Sequence, residues 1–215
     1  MRYNSLIDDK KKQRVRDAIA KGDPSLLWPK KKVEPEPIRK KHPKKLPDSN
    51  VRGRLNSELL KAARSRDVEK VKKLIDKGAD IEARNEDGWT PLIIASNYGY
   101  SEIVRVLIEN GADANMKDER SKETALMFAV FHNLIDIVEM LIVDGKADVN
   151  IGNMIGCTPL MSAAMGGYTH LAKMLIERGA DVNARTLYGM TALGFAQRDN
   201  RYDTAEMLRS HGAVE

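Results

Sequence analysis

The chain has one cysteine, Cys157, in 215 residues. An internal disulfide and a cysteine-built zinc site are therefore excluded, and a reducing compartment is expected. Aromatic residues are scarce at 5%, while the 42% hydrophobic content is adequate for a soluble core. The N-terminus lacks the apolar run of a secretory signal, and no window reaches membrane-spanning length, so neither secretion nor a membrane partner is expected. The four histidines, His42, His132, His170 and His211, fall at no metal-ligand spacing. Neither a phosphate loop nor a dinucleotide fingerprint is present. These absences predict a protein with no cofactor, no metal, no small-molecule substrate and no catalysis.

What is present is a repeat. Thr158-Pro159-Leu160 opens a segment in which Thr158 can cap a helix and Pro159 takes the first helical position, where its missing N–H costs nothing. Leu160, Ala163 and Ala164 supply one apolar face, and Gly166-Gly167 end it. Leu171, Ala172, Leu175 and Ile176 form a second stripe that stops at Gly179. Thr90, Thr124 and Thr191 open similar segments, closed by Gly111, Gly145 and Gly212. The threonine precedes its glycine by 21 residues in all four copies, and successive threonines are 34, 34 and 33 apart. Helix pairs this short cannot bury both stripes alone, so copies must stack.

With Gly88-x-Thr-Pro-Leu, the paired alanines and Gly179-Ala-Asp-Val-Asn-Ala, the chain resembles the ankyrin repeat family from about Leu55 to the C-terminus. The resemblance implies an all-α solenoid of helix-turn-helix units with projecting hairpin loops. Repeats are expected near 55–84, 85–117, 118–151, 152–184 and 185–215. The first lacks the Thr-Pro-Leu entry; Leu59, Ala62 and Ala63 form its inner helix, and Val71, Leu74 and Ile75 its outer one. Its Arg64, Arg66, Lys70, Lys72 and Lys73 are read as polar cover for an end with no neighbour. The third repeat departs from the pattern. It has an extra residue before Thr124, Lys122 in place of the turn glycine, and Lys146 inserted after Gly145. Displaced hairpins are expected on either side of it.

The net charge of +5 hides opposed halves. Residues 1–54 hold 17 Lys and Arg against 7 Asp and Glu, whereas residues 55–215 hold 19 against 24. Residues 1–27 read as a short N-terminal helix, with Val15, Ala18 and Ile19 as its apolar stripe. Residues 28–54 read as a basic Pro- and Lys-rich linker carrying Trp28, Lys30, Lys31, Lys32, Arg39, Lys40, Lys41, Lys44 and Lys45. Four readings of this arm stand: a tether to nucleic acid or ribonucleoprotein, a nuclear signal, a strap on an acidic protein surface, or a solvated linker. The cytoplasm or the nucleus is the expected location.

Family resemblance places partner contacts on hairpin tips and exposed inner-helix positions. Counted from the threonines, these include Trp89, Asn97 and Tyr98 in the second repeat, and Arg120, Phe131 and His132 in the third. Met154, Ile155 and Met165 follow in the fourth, and Leu187, Tyr188, Met190 and Arg198 in the fifth. Aromatic and Met groups dominate and lysine is absent, a composition suited to a protein partner. The expected function is a non-catalytic adaptor, scaffold or inhibitor that binds a protein on this concave face, with the arm as second contact. The alternative is a nucleic-acid- or ribonucleoprotein-associated factor held mainly by the arm.

Overall fold

A computed structural model describes residues 48–214. Residues 1–27, expected from sequence to form a helix, and the arm residues from Trp28 to Lys45 lie outside the described residues. Among the described residues ten α-helices run in five pairs: α1 (Ser49–Arg64) with α2 (Val68–Asp76), α3 (Pro91–Asn97) with α4 (Ser101–Glu109), and α5 (Ala125–Phe131) with α6 (Ile135–Val143). The last pairs are α7 (Pro159–Gly166) with α8 (Thr169–Glu177), and α9 (Ala192–Arg198) with α10 (Tyr202–Ser210). No strand occurs among the described residues. The inner helices α1, α3, α5, α7 and α9 pack in sequence, and the outer helices form a second layer. The all-α repeat solenoid expected from the sequence is the observed fold. One boundary differs: α1 begins at Ser49, so residues 49–54, assigned to the linker by composition, are helical.

The threonine signal works as its chemistry predicts. Thr90, Thr124, Thr158 and Thr191 each accept a hydrogen bond from the backbone N–H three residues on, at 3.1 to 3.4 Å. Pro91 and Pro159 occupy the first helical positions. Leu92, Leu126, Leu160 and Leu193 follow at no more than 1% exposure, and the inner-helix alanines let adjacent helices approach closely. Burying one such leucine contributes roughly 1.5–3 kcal/mol, against about 1 kcal/mol for a threonine cap. Stacking therefore outweighs capping. Thr158→Ala is expected to cost about 1 kcal/mol in chemical denaturation, without loss of the folded state.

A polar ladder joins the repeats at the other end of the outer helices. Asn115, Asn150 and Asn183 each accept from the backbone N–H of the next repeat, Asp148, Asp181 and Val214, at 2.8 to 2.9 Å. Their amide NH2 groups donate to the carbonyls of Lys146, Gly179 and Gly212. Asn56 of α1 starts the ladder by accepting from the Asp80 N–H at 2.8 Å, which makes the lengthened first helix a cap for the stack. Between them Glu82 accepts from the Asp113 N–H at 2.8 Å. Its second oxygen is buried with no partner, where each asparagine carries a donor.

Burial raises the Glu82 carboxyl above its usual range, although the bond from Asp113 opposes the shift. A carboxyl raised on folding takes up its proton first in the native state. That extra stability is complete below the unfolded value and is lost as pH rises through the folded one. Glu82→Gln is therefore expected to stabilise the protein by about 1 kcal/mol near neutral pH. The gain should shrink on acidification toward pH 4, read as the difference in Tm between the two proteins.

The third repeat absorbs both extra residues locally. Lys122 and Lys146 adopt left-handed backbone at φ +59° and +55°. Lys146 thus takes the role played by Gly111, Gly179 and Gly212 elsewhere, and its carbonyl continues the ladder. The expected displacement of the flanking hairpins does not occur. Glu119 N–H still donates to Asp87 O at 3.3 Å and Met154 N–H to Ser121 O at 2.9 Å. The loosening falls instead on the outer layer, where α6 and α8 lack the close packing that joins the other outer neighbours.

Candidate protein-interaction face

Each hairpin finger is built on one side chain. Asn85 Oδ1 accepts from the N–H groups of Asp87 and Trp89. Asn153 does the same for Ile155 and Cys157, and Thr186 for Tyr188 and Met190. In the third repeat the finger is one residue longer, and a carboxylate replaces the amide. Asp118, 2% exposed, accepts from Ser121 N–H at 3.2 Å and Glu123 N–H at 2.6 Å, spanning the longer loop with its two oxygens. Side-chain turns of this kind hold the backbone without a regular ladder. The fingers also touch one another. Gly88, at φ +78°, leaves no room for a Cβ beside the Glu119 backbone, and Arg120 pairs with Asp87 across the same gap at 2.6 Å.

The predicted apolar and aromatic residues separate into two groups. Tyr98, Phe131, Met154, Leu187 and Tyr188 project freely, at 43%, 58%, 61%, 77% and 79% exposure. Trp89, Met165 and Met190 are half-buried against the core. Trp89 meets Phe128 at a ring-centroid distance of 5.0 Å, and the thioether end of Met190 lies over Gly194. Ile155 is also only partly exposed. These four form the floor of the face, and the exposed five form its relief.

Polar contacts tie the inner-helix ends into a row. His132 Nε2 and Asn97 Oδ1 are 3.1 Å apart, Tyr168 OH donates to Phe131 O at 3.5 Å, and Arg201 Nε donates to Met165 O at 3.1 Å. Tyr98 stacks on Tyr100 at 5.7 Å, with the Arg66 guanidinium over the Tyr100 ring. Arg198 lies over Phe195 and is held by Asp199 at 2.8 Å. The hydrogen bond between these two raises the guanidinium and lowers the Asp199 carboxyl, so both stay charged at neutral pH.

Half-buried Phe128 and Tyr168 border this surface, and Phe195 lies buried under Arg198 at its edge; none of the three is among the predicted contacts. Phe128 and Phe195 lie four residues after their threonines, a turn before the positions counted as exposed. Arg64 of the first repeat is read from sequence as end cover and Lys61 receives no reading, because that repeat has no threonine from which to count.

Cys157 sits on the fourth finger, half-buried, with its Sγ near Ser162 Oγ at 3.9 Å. Desolvation pushes the thiol above its ordinary value, which keeps it protonated at neutral pH and unfit as a nucleophile. Alkylation of Cys157 by iodoacetamide at pH 8 is accordingly expected to run several-fold slower than that of free cysteine, and to recover that rate in denaturant. Among the described residues no group of three or more His, Cys, Asp or Glu side chains is placed to hold a metal. No described helix is long and apolar enough to cross a membrane.

Stacked helix pairs, buried threonine caps and interlocking fingers define a class of protein built to present one long surface. The family model for ankyrin repeats (three copies) matches residues 59–153 and 145–214, and the chain belongs to the ankyrin repeat family. It is 35% identical over 163 residues to an ankyrin repeat protein of fowlpox virus (strain NVSL), covering 73% of this chain and 48% of that one. It is 37% identical over 127 residues to the ankyrin repeat and KH domain-containing protein mask-1 of Caenorhabditis elegans, covering 59% and 5%. The B-cell lymphoma 3 protein homolog of Mus musculus is 36% identical over 118 residues, covering 55% and 26%. The chain thus spans from a twentieth to about half of these relatives. Ankyrin repeats are in general non-catalytic protein-interaction modules.

Proposed function

We propose that this chain is an adaptor, scaffold or inhibitor that takes a protein partner on the concave face formed by the inner-helix ends and hairpin fingers. The observation that carries the reading is the exposure of Tyr98, Phe131, Met154, Leu187 and Tyr188 along that face. Large apolar side chains gathered on an accessible surface over a half-buried aromatic floor are the usual composition of a binding hot spot. Rigidity supports it further. The fingers are held by paired side-chain turns and the inner-helix ends by the polar contacts between neighbours, so little ordering entropy is lost on binding. The second and third fingers carry Glu86, Asp87, Asp118, Glu119 and Glu123 against Arg120 and Lys122, an acidic excess that disfavours a phosphate backbone lying along the groove.

The test is selection of random 12-residue peptides displayed on phage against the full chain, with recovered peptides measured on alanine variants. Peptides that bind the parent and fail on Phe131→Ala support the reading. Peptides that bind Phe131→Ala and Tyr98→Ala as well as the parent contradict it.

A further inference from the structure

We infer that the partner segment carries carboxylates beside its apolar anchors, and that Lys61 and Arg64 of α1 receive them. This rests on the concave-face reading and specifies the chemistry of the occupant. Leu59, Leu92 and Leu126 occupy equivalent buried positions of successive inner helices. The same offset aligns Lys61 with Phe128, and Arg64 with Asn97 and Phe131. The two cations therefore continue the row of binding positions rather than cover the open end, which Lys70, Lys72 and Lys73 of α2 already do. Both are exposed, and neither has an ion-pair partner among the described residues. Glu58, the carboxylate nearest to them in α1, pairs instead with Lys70 of α2 at 3.4 Å.

Charge along the row is uneven, and that asymmetry selects the partner. Positive groups stand at the α1 end, next to the Tyr98–Tyr100 stack that Arg66 already covers. The middle is neutral and apolar, and its fingers are acidic. A nucleic acid carries charge at every step and needs cations along its whole path. A protein segment with a short acidic run followed by apolar side chains matches the pattern as it stands. Packed helices lie about 8–10 Å apart, and an extended chain advances about 3.3–3.6 Å per residue. The acidic run should therefore precede or follow the side chain on Tyr98 by about three residues, and the one on Phe131 by about five or six.

The displayed 12-residue peptides, selected against the full chain at low salt, test this directly. Enrichment of Asp or Glu at those spacings from an aromatic or aliphatic residue is expected. Lys61→Glu/Arg64→Glu should weaken the selected peptides at least ~10-fold, with the difference narrowing as salt rises. Because both residues also lie in the last turn of α1, where positive charge favours the helix, Lys61→Gln/Arg64→Gln serves as the gentler companion. It should retain the fold by circular dichroism and lose affinity to a smaller extent. Peptides that fail on Phe131→Ala but show no acidic enrichment and bind the Lys61/Arg64 variants normally would overturn the inference and leave the concave-face reading standing. Peptides indifferent to Phe131 and Tyr98 would remove both. Recovery of no peptide, or displacement of the peptides by a single-stranded oligonucleotide that itself requires Lys61 and Arg64, would also overturn it.

Discussion

Replacing Tyr98, Phe131 and Tyr188 together by alanine is expected to weaken binding of concave-face peptides at least ~100-fold, while Tm and helical content stay close to those of the parent. The argument depends on where these rings sit. Each is exposed, from 43% for Tyr98 to 79% for Tyr188, so its removal leaves little cavity and costs the fold little. In a complex the same rings become buried, and truncating an aromatic anchor commonly costs 2 kcal/mol or more. Three on one surface comfortably exceed a hundredfold even allowing for their non-additivity. Trp89 is a poor choice for such a set, despite being the largest aromatic of the face. It is half-buried against Phe128 at 5.0 Å, so Trp89→Ala should lower Tm as well as affinity. Equilibrium binding by fluorescence anisotropy, with thermal melts of the same preparations, separates the two effects.

Leu126→Ala is expected to produce the largest stability loss. Leu126 is fully buried in α5, the inner helix that joins α3 to α7. Truncating a buried leucine costs about 2–5 kcal/mol, the spread reflecting how far the site can collapse. In a solenoid each repeat is held by its neighbours alone, so weakening the central repeat uncouples the two ends. The denaturant transition should shift to a lower midpoint and broaden. The junction between α6 and α8, already the loosest of the outer layer, is where the separation should begin. A loss under about 1 kcal/mol, with the transition unchanged in shape, would mean that α5 is not the coupling element.

The repeats were legible because their signals are chemical and local. Thr158 caps, Pro159 starts a helix, Leu160 and Ala163 pack, and Gly179 ends the pair; each acts within a few residues, and the 21-residue interval fixes their combination. The ladder was less visible. Asn115, Asn150 and Asn183 look like ordinary turn residues until the next repeat is placed 31 to 33 residues on, and Glu82 reads as a surface acid until its second oxygen is found buried.

The face divides in the same way. Register places the listed residues on the fingers and inner-helix ends, but exposure of a side chain depends on its neighbours. Trp89 sinks because Phe128 meets it, and Tyr98 stays out because Tyr100 stacks beneath it. The third repeat shows the limit most clearly. Counting residues located both insertions, yet only backbone geometry reveals that Lys122 and Lys146 take left-handed conformations and that Asp118 bridges the longer finger. Lys61 and Arg64 were missed as part of the row for a related reason, since their repeat lacks the threonine that anchors the count.

The most direct measurement of the central claim is site-specific photo-crosslinking with a selected peptide. A benzophenone side chain is placed in turn at position 131, on the concave row, and at position 143, the exposed C-terminal end of α6. If the inner-helix and finger face is the binding surface, the peptide should be captured from position 131 and not from 143. Capture from position 143 with none from 131 would contradict the account.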